Sequence, residues 1–145
     1  MRIVEIREHS VPISRYAEVS AAQPILTTSI VAVITDVTTA EGPVIGYGFS
    51  SFGRYAQSGL IRERFAPRLL HDSPSSLTNA AGTNLDAFRA WVTMMRGEKP
   101  EGHGERCVSV GTLDMAIWGL LTTLAEMSAA KSNGGEYVAQ VERPT

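Results

Sequence analysis

Residues 27–38, TTSIVAVITDVT, constrain the fold more than any other stretch of this chain. Val, Ile and Thr carry two heavy atoms on Cβ, which suits a pleated, half-buried surface and disfavours a helix. Apolar side chains fall on both faces of such a strand, which places it centrally in a sheet. Its flanks supply the neighbours. Residues 2–12 read as a strand closed by Pro12. Ala40-Glu41-Gly42-Pro43 reads as a turn, and residues 44–49 (VIGYGF) as a third strand. So short a second link implies a hairpin, and the three strands an antiparallel meander. Gly46 and Gly48 inside the third strand point to the close approach of another backbone. Between the first two strands, residues 13–25 are polar and irregular and read as a long loop.

The remainder reads as three to four helices. Residues 58–70 place Ile61, Phe65 and Leu69 at a spacing of four, with Pro67 expected to end or kink the helix. Asp72-Ser73-Pro74 is a stop, after which Ser75 or Ser76 can cap a short helix. Asp86 caps another, in which Phe88, Trp91, Val92 and Met95 form one apolar stripe. Gly97 ends it. Residues 97–106 (GEKPEGHGER) read as a Gly-rich loop. Residues 108–127 are apolar nearly all round, which predicts a buried helix. Residues 128–145 turn to Ala, Ser and Gly and predict a divergent, poorly ordered tail, to which residues 137–141 could add a strand. The expected fold class is α+β: a three-stranded antiparallel meander followed by a helix bundle, with no barrel. Residues 1–127 form the expected domain and 128–145 the tail.

Charge and cysteine usage narrow the function. The net charge is −2 with no block of like charges, so no clustered basic face is offered to nucleic acid. Eleven of the thirteen cations are Arg; the only lysines are Lys99 and Lys131. One cysteine, Cys107, allows no internal disulfide. The longest apolar stretch, residues 115–121, is broken by Gly119 and far too short to span a bilayer, so no membrane segment is expected and the cytoplasm is the default. The scattered His and Cys give no metal-ligand spacing.

The candidate chemistry is sparse. Cys107 beside Arg106 at a helix start could be a lowered-pKa thiol, but the commoner reading is a small, buried, inert residue. His103, between Glu101 and Glu105, could be a carboxylate-oriented base or a solvated loop histidine. Asp114, in an apolar helix, calls for a structural partner such as Arg or a backbone N–H. Ser51, Phe52, Arg54 and Tyr55 leave the third strand with polar, cationic and aromatic groups. Arg54 and Lys99 could grip a carboxylate, as a bidentate fork and a point charge, or be ordinary surface decoration. Spacing alone does not choose between these.

Two segments carry a family resemblance: residues 44–66 (VIGYGFSSFGRYAQSGLIRERFA) and 98–118 (EKPEGHGERCVSVGTLDMAIW). Together with the order strand, long loop, strand, turn, strand, helices, they resemble the N-terminal capping domain of the mandelate racemase and muconate lactonizing enzyme group of the enolase superfamily. The nearest branch is that of D-tartrate dehydratases, and the resemblance runs over about residues 1–125. It implies a cap over the mouth of a (β/α)₈-type barrel, closing on a small acid sugar with two loops that map to residues 13–25 and 50–55. It implies substrate contacts from Ser51, Phe52, Arg54, Tyr55 and Lys99. The chemistry would belong to the barrel, where a Lys or His base and Mg²⁺ act on a carboxylate-bearing substrate. No catalytic or metal-binding residue is therefore expected here, and no cofactor in this chain. The family's Lys-x-Lys is absent, and no βα repeat carries the Asp/Glu ligands. Residues 119–145 depart from the family, beginning with Gly119. The expectation is a truncated capping domain, silent without a barrel in cis or in trans. The alternatives are a free-standing interaction module, self-associating through an exposed apolar face, and one subunit of a split Mg-dependent dehydratase.

Overall fold

A computed structural model describes residues 1–12, 27–50, 57–100 and 104–132. Strands β1 (Ile3–Pro12), β2 (Thr27–Thr39) and β3 (Gly42–Phe49) form an antiparallel sheet in the order β1-β2-β3. The β-branched strand is central, as its two apolar faces predict. Its inward positions Val31 and Val33 are fully buried, while Ile30 and Ala32 alternate to the other face. The β2–β3 turn is tighter than expected. Only Ala40 and Glu41 lie outside the strands; Thr39 pairs with Gly42, which takes φ +126°.

Helical structure follows. α1 (Gln57–Leu60) leads into a π-helical turn (Ile61–Phe65) and then α2 (Ala66–His71). Leu60 and Ala66 both keep helical dihedrals, so the three pieces run on as one helix. Pro67 therefore does not end it. The Ala66 N–H donates to the Ile61 carbonyl five residues back, and this widened turn sits just before the proline, whose ring would meet the carbonyl four residues back in a regular helix. α3 (Pro74–Leu77) is capped by Ser73, not Ser75 or Ser76, with Pro74 in the first turn where a missing N–H is harmless. α4 (Ala87–Met95) has the expected Asp86 cap, whose carboxylate accepts from the Arg89 N–H at 3.1 Å. Gly97, at φ +74°, follows its end.

α5 (Glu105–Ser132) is longer at both ends than the expected 108–127. It lies across β3 and β2 and buries Val110, Leu113, Ala116, Ile117 and Leu120 against Val31, Val33 and Val44. Ile61, Phe65 and Leu69 join that core from the middle helix, and Ala90 and Met94 from α4. The seam with β3 depends on the strand's glycines. A Cβ on Gly46 would lie 1.9 Å from the Ala116 carbonyl oxygen, and one on Gly48 would lie 2.0 Å from that of Thr112.

Two expectations about helix faces are corrected. α5 is not buried all round: Met115 and Trp118 face outward. Nor does α4 turn Phe88, Trp91 and Val92 to the core. Ala87, Ala90, Thr93 and Met94 pack inward, while Phe88 is 74% exposed, with Trp91 and Val92 beside it. The Phe88 and Trp118 rings meet edge to face, 5.9 Å between centroids, so the outward sides of α4 and α5 join in one aromatic ridge. A third correction concerns length. Glu105–Ala129 is long and apolar enough to cross a membrane by length and composition, with an 18-residue window of mean hydropathy 1.5. The run 115–121 undercounts it, because Thr112 and Asp114 cut the run short without lowering the window's average much. In this fold the same segment is the core helix of the domain.

Candidate functional site

The topology brings the ends of several elements to one end of the sheet. β1 leaves the sheet at Pro12, β2 enters opposite it at Thr27, and β3 leaves at Phe49 beside Ile30. α5 runs antiparallel to β3, with Thr112 against Gly48 and Ala116 against Gly46, so its N-terminus points to that same end. Segments 13–26, 51–56 and 101–103 all attach there. The residues expected to touch substrate, Ser51, Phe52, Arg54 and Tyr55, lie outside the described residues, as do residues 13–25 and His103. What the structure does place is the frame from which they extend.

Ser50 is the joint between the first two segments. It is buried, and its Oγ accepts from the Ser29 N–H at 2.9 Å and lies 3.1 Å from Thr28 Oγ1. Its N–H donates to the Ser29 carbonyl at 2.9 Å, and its own carbonyl accepts from Thr28 Oγ1. The last described residue before segment 51–56 is thus bonded to the first described residues after segment 13–26. On the far side of segment 51–56, the buried Gln57 offers its carbonyl to Ser109 Oγ at 3.4 Å, and that hydroxyl also donates to the Glu105 carbonyl at 2.7 Å. Both roots are therefore tied to rigid elements.

The third segment is held by a buried carboxylate. The Glu98 side chain is 2% exposed and faces three guanidinium groups. Arg64 and Arg68 stand 2.7 and 2.9 Å from Oε1, and Arg106 stands 3.5 Å from Oε2. Oε1 has no well-aligned hydrogen bond among the described residues, so charge attraction carries those two contacts. Burial pushes the Glu98 carboxyl up, but the adjacent Arg68 and Arg64 guanidiniums outweigh it and hold the group below its ordinary value. Arg68 also donates to the Met94 carbonyl, and Arg106 to the Lys99 carbonyl at 2.8 Å. Lys99, the one expected contact residue that is described, is exposed beside this knot. A second buried carboxylate, Glu8 on β1, pairs with Arg62 at 2.5 Å, so the middle helix is clipped on both sides.

The other candidates resolve as follows. Asp114 is half-buried on α5, and its partner is the Trp118 indole, one turn on, not the Arg or backbone N–H expected. Burial raises its carboxyl above the ordinary value, and the indole hydrogen bond lowers it in part. Cys107 is exposed in the first turn of α5, not the buried residue expected. Among the described residues no group of three His, Cys, Asp or Glu comes together that could hold a metal ion. Glu98, Ser50 and Gln57 were not singled out from sequence. No known family model matches this sequence.

Proposed function

We propose that this chain is the capping, substrate-specificity part of a mandelate racemase/muconate lactonizing-type enzyme of the tartrate (acid-sugar) dehydratase kind. It is silent without a (β/α)₈-type barrel, in cis or in trans. The observation that carries the reading is the convergence of segments 13–26, 51–56 and 101–103 on one end of the meander, with their roots pinned through Ser50 and Gln57. A cap needs that arrangement: rigid struts and a cluster of contact segments aimed at a neighbouring cavity. The barrel contributes the base and the magnesium. This chain's part is to bind the carboxylate of a small acid sugar through Arg54 and Lys99, to orient it with Ser51 and Tyr55, and to exclude water with Phe52. A cytoplasmic location belongs to the same proposal.

The test is reconstitution. The full chain, given Mg²⁺ and D-tartrate, is expected to show no turnover above a metal-only blank. Mixed with the barrel half of a tartrate-dehydratase-like enzyme, it is expected to form a complex and restore turnover. Sustained turnover by the chain alone refutes the silent cap, and failure to bind any such barrel refutes the capping role. A second reading, a free-standing interaction module, is favoured by the outward aromatic ridge of α4 and α5, since exposed clusters of Trp and Phe are what interfaces are built on. It predicts a partner other than a barrel on that ridge.

A further inference from the structure

Among the described residues the sheet has one face on α5 and no element on the other. On that second face, β2 and β3 lack the polar surface that a solvated antiparallel sheet presents. Across the strands, Glu5 stands beside Ile34 and Ile34 beside Ile45; one step along, Arg7 stands beside Ala32 and Ala32 beside Tyr47. A further step places Ile30 beside Phe49, with His9 on the β1 side. The β1 column is thus charged and the β3 column bulky and apolar. Tyr47 is 63% exposed, Phe49 57% and Ile30 42%, so the apolar column is uncovered. In the charged column, Arg7 donates to both oxygens of Glu5, at 2.7 and 2.9 Å, and both side chains stay open to the front.

We infer that this face pairs with the same face of a second copy of this chain. The two-fold axis runs across the strands, between the Glu5 row and the Arg7 row. Such an axis lays β1 on β1 and β3 on β3, so apolar column meets apolar column. It also reverses the row order, so Glu5 of each copy meets Arg7 of the other, and the pair occurs twice. An axis along the strands would instead lay the charged column on the apolar one and bury charges against Ile45, at a desolvation cost. Only the first arrangement is complementary in both charge and polarity. The face measures about 15 by 25 Å from strand spacing and rise. That is less than the roughly 800 Å² per partner of a standard interface, so the dimer is weak and forms at high micromolar concentration. The pairing needs no barrel and stands apart from the capping reading.

Sedimentation of the full chain from micromolar to millimolar concentration tests it. A reversible monomer–dimer equilibrium is expected. Tyr47→Glu, at an exposed position, should raise the dimer Kd by more than about tenfold. Glu5→Arg should raise it by roughly fivefold, because each dimer then opposes like charges twice. The combined exchange Glu5→Arg/Arg7→Glu should return it to near the starting value, which no loss of folding would do. Trp91→Glu, on the helical ridge, should leave it unchanged. A monomer at all concentrations overturns the pairing. So does an exchange that fails to restore it, or a dimer that Trp91→Glu dissolves and Tyr47→Glu does not.

Discussion

Gly46 and Gly119 are both glycines in regular structure, and they do opposite things. Gly46 sits in the seam between β3 and α5, where the strand and helix backbones touch. Gly119 sits on the outward side of α5 next to Trp118, where an added Cβ would find only the Tyr47 carbonyl oxygen, at an ordinary 3.8 Å. The seam is packed as closely as backbone allows; beside Gly119 there is free space. The seam is what lets a three-stranded sheet hold a long helix, because its glycines let α5 drop close enough for Leu113, Ile117 and Leu120 to reach the valines of β2 and β3. The ridge adds no such closeness and leaves large side chains facing outward. Stability and interaction are thus assigned to different sides of one helix.

Three substitutions test that contrast. The largest effect is expected from Gly46→Ala. The new methyl overlaps backbone, which cannot rotate away, so α5 must lift off the sheet. Urea unfolding should show a loss of about 3 kcal/mol or more, with Gly48→Ala similar. A loss below about 1 kcal/mol would mean the seam is slack.

Next comes Glu98→Gln, which leaves three guanidinium groups around a neutral amide. Partial exposure of Arg64 and Arg68 limits the loss to about 2 kcal/mol at neutral pH. The pH dependence has a definite sign. The folded-state carboxyl lies below its unfolded value, so its contribution is complete above the unfolded value and disappears as pH falls through the folded one. The difference between wild type and Glu98→Gln in thermal unfolding should therefore shrink on acidification below the ordinary carboxylate range. A difference that is independent of pH would remove the charge argument.

The smallest effect is expected from Gly119→Ala, and with the opposite sign. An interior helical glycine with free space around it should gain about 0.5–1 kcal/mol on becoming alanine. If Gly119→Ala destabilises, the ridge is packed against something after all, and the contrast with the seam fails.

What could be read from the chain followed a physical rule. β2 was legible because β-branched residues on both faces fit only a central strand. Gly46 and Gly48 were legible because a strand interior has no other use for two glycines at spacing two. Asp86 and Gly97 were legible as local cap chemistry, decided within one turn of chain. The direction of α4 was not: Phe88, Trp91, Val92 and Met95 fix a stripe, but a stripe carries no sign, and here Ala87, Ala90 and Met94 pack inward while Phe88, Trp91 and Val92 face out. Cys107 was misplaced for a similar reason, since burial at a helix start depends on what covers it. Glu98 was hidden because its partners come from 34, 30 and 8 positions away and only the fold assembles them. Of the expected contact residues only Lys99 could be located; the pinned roots of the others, at Ser50 and Gln57, were the part of the site that sequence did not announce.

The widened turn at Ile61–Phe65 lets the middle helix carry one residue more than a regular helix would across the same span. Stepping by four overshoots one α-helical turn by about 40°. The i→i−5 turn takes that overshoot back, so Ile61, Phe65 and Leu69 stay in line against the core, much as a leap day keeps a calendar on season. Removing one residue there would restore a regular helix and leave Leu69 against the core and Arg68 beside Glu98. The wide turn takes up one apparently surplus residue without putting the two halves of this helix out of phase.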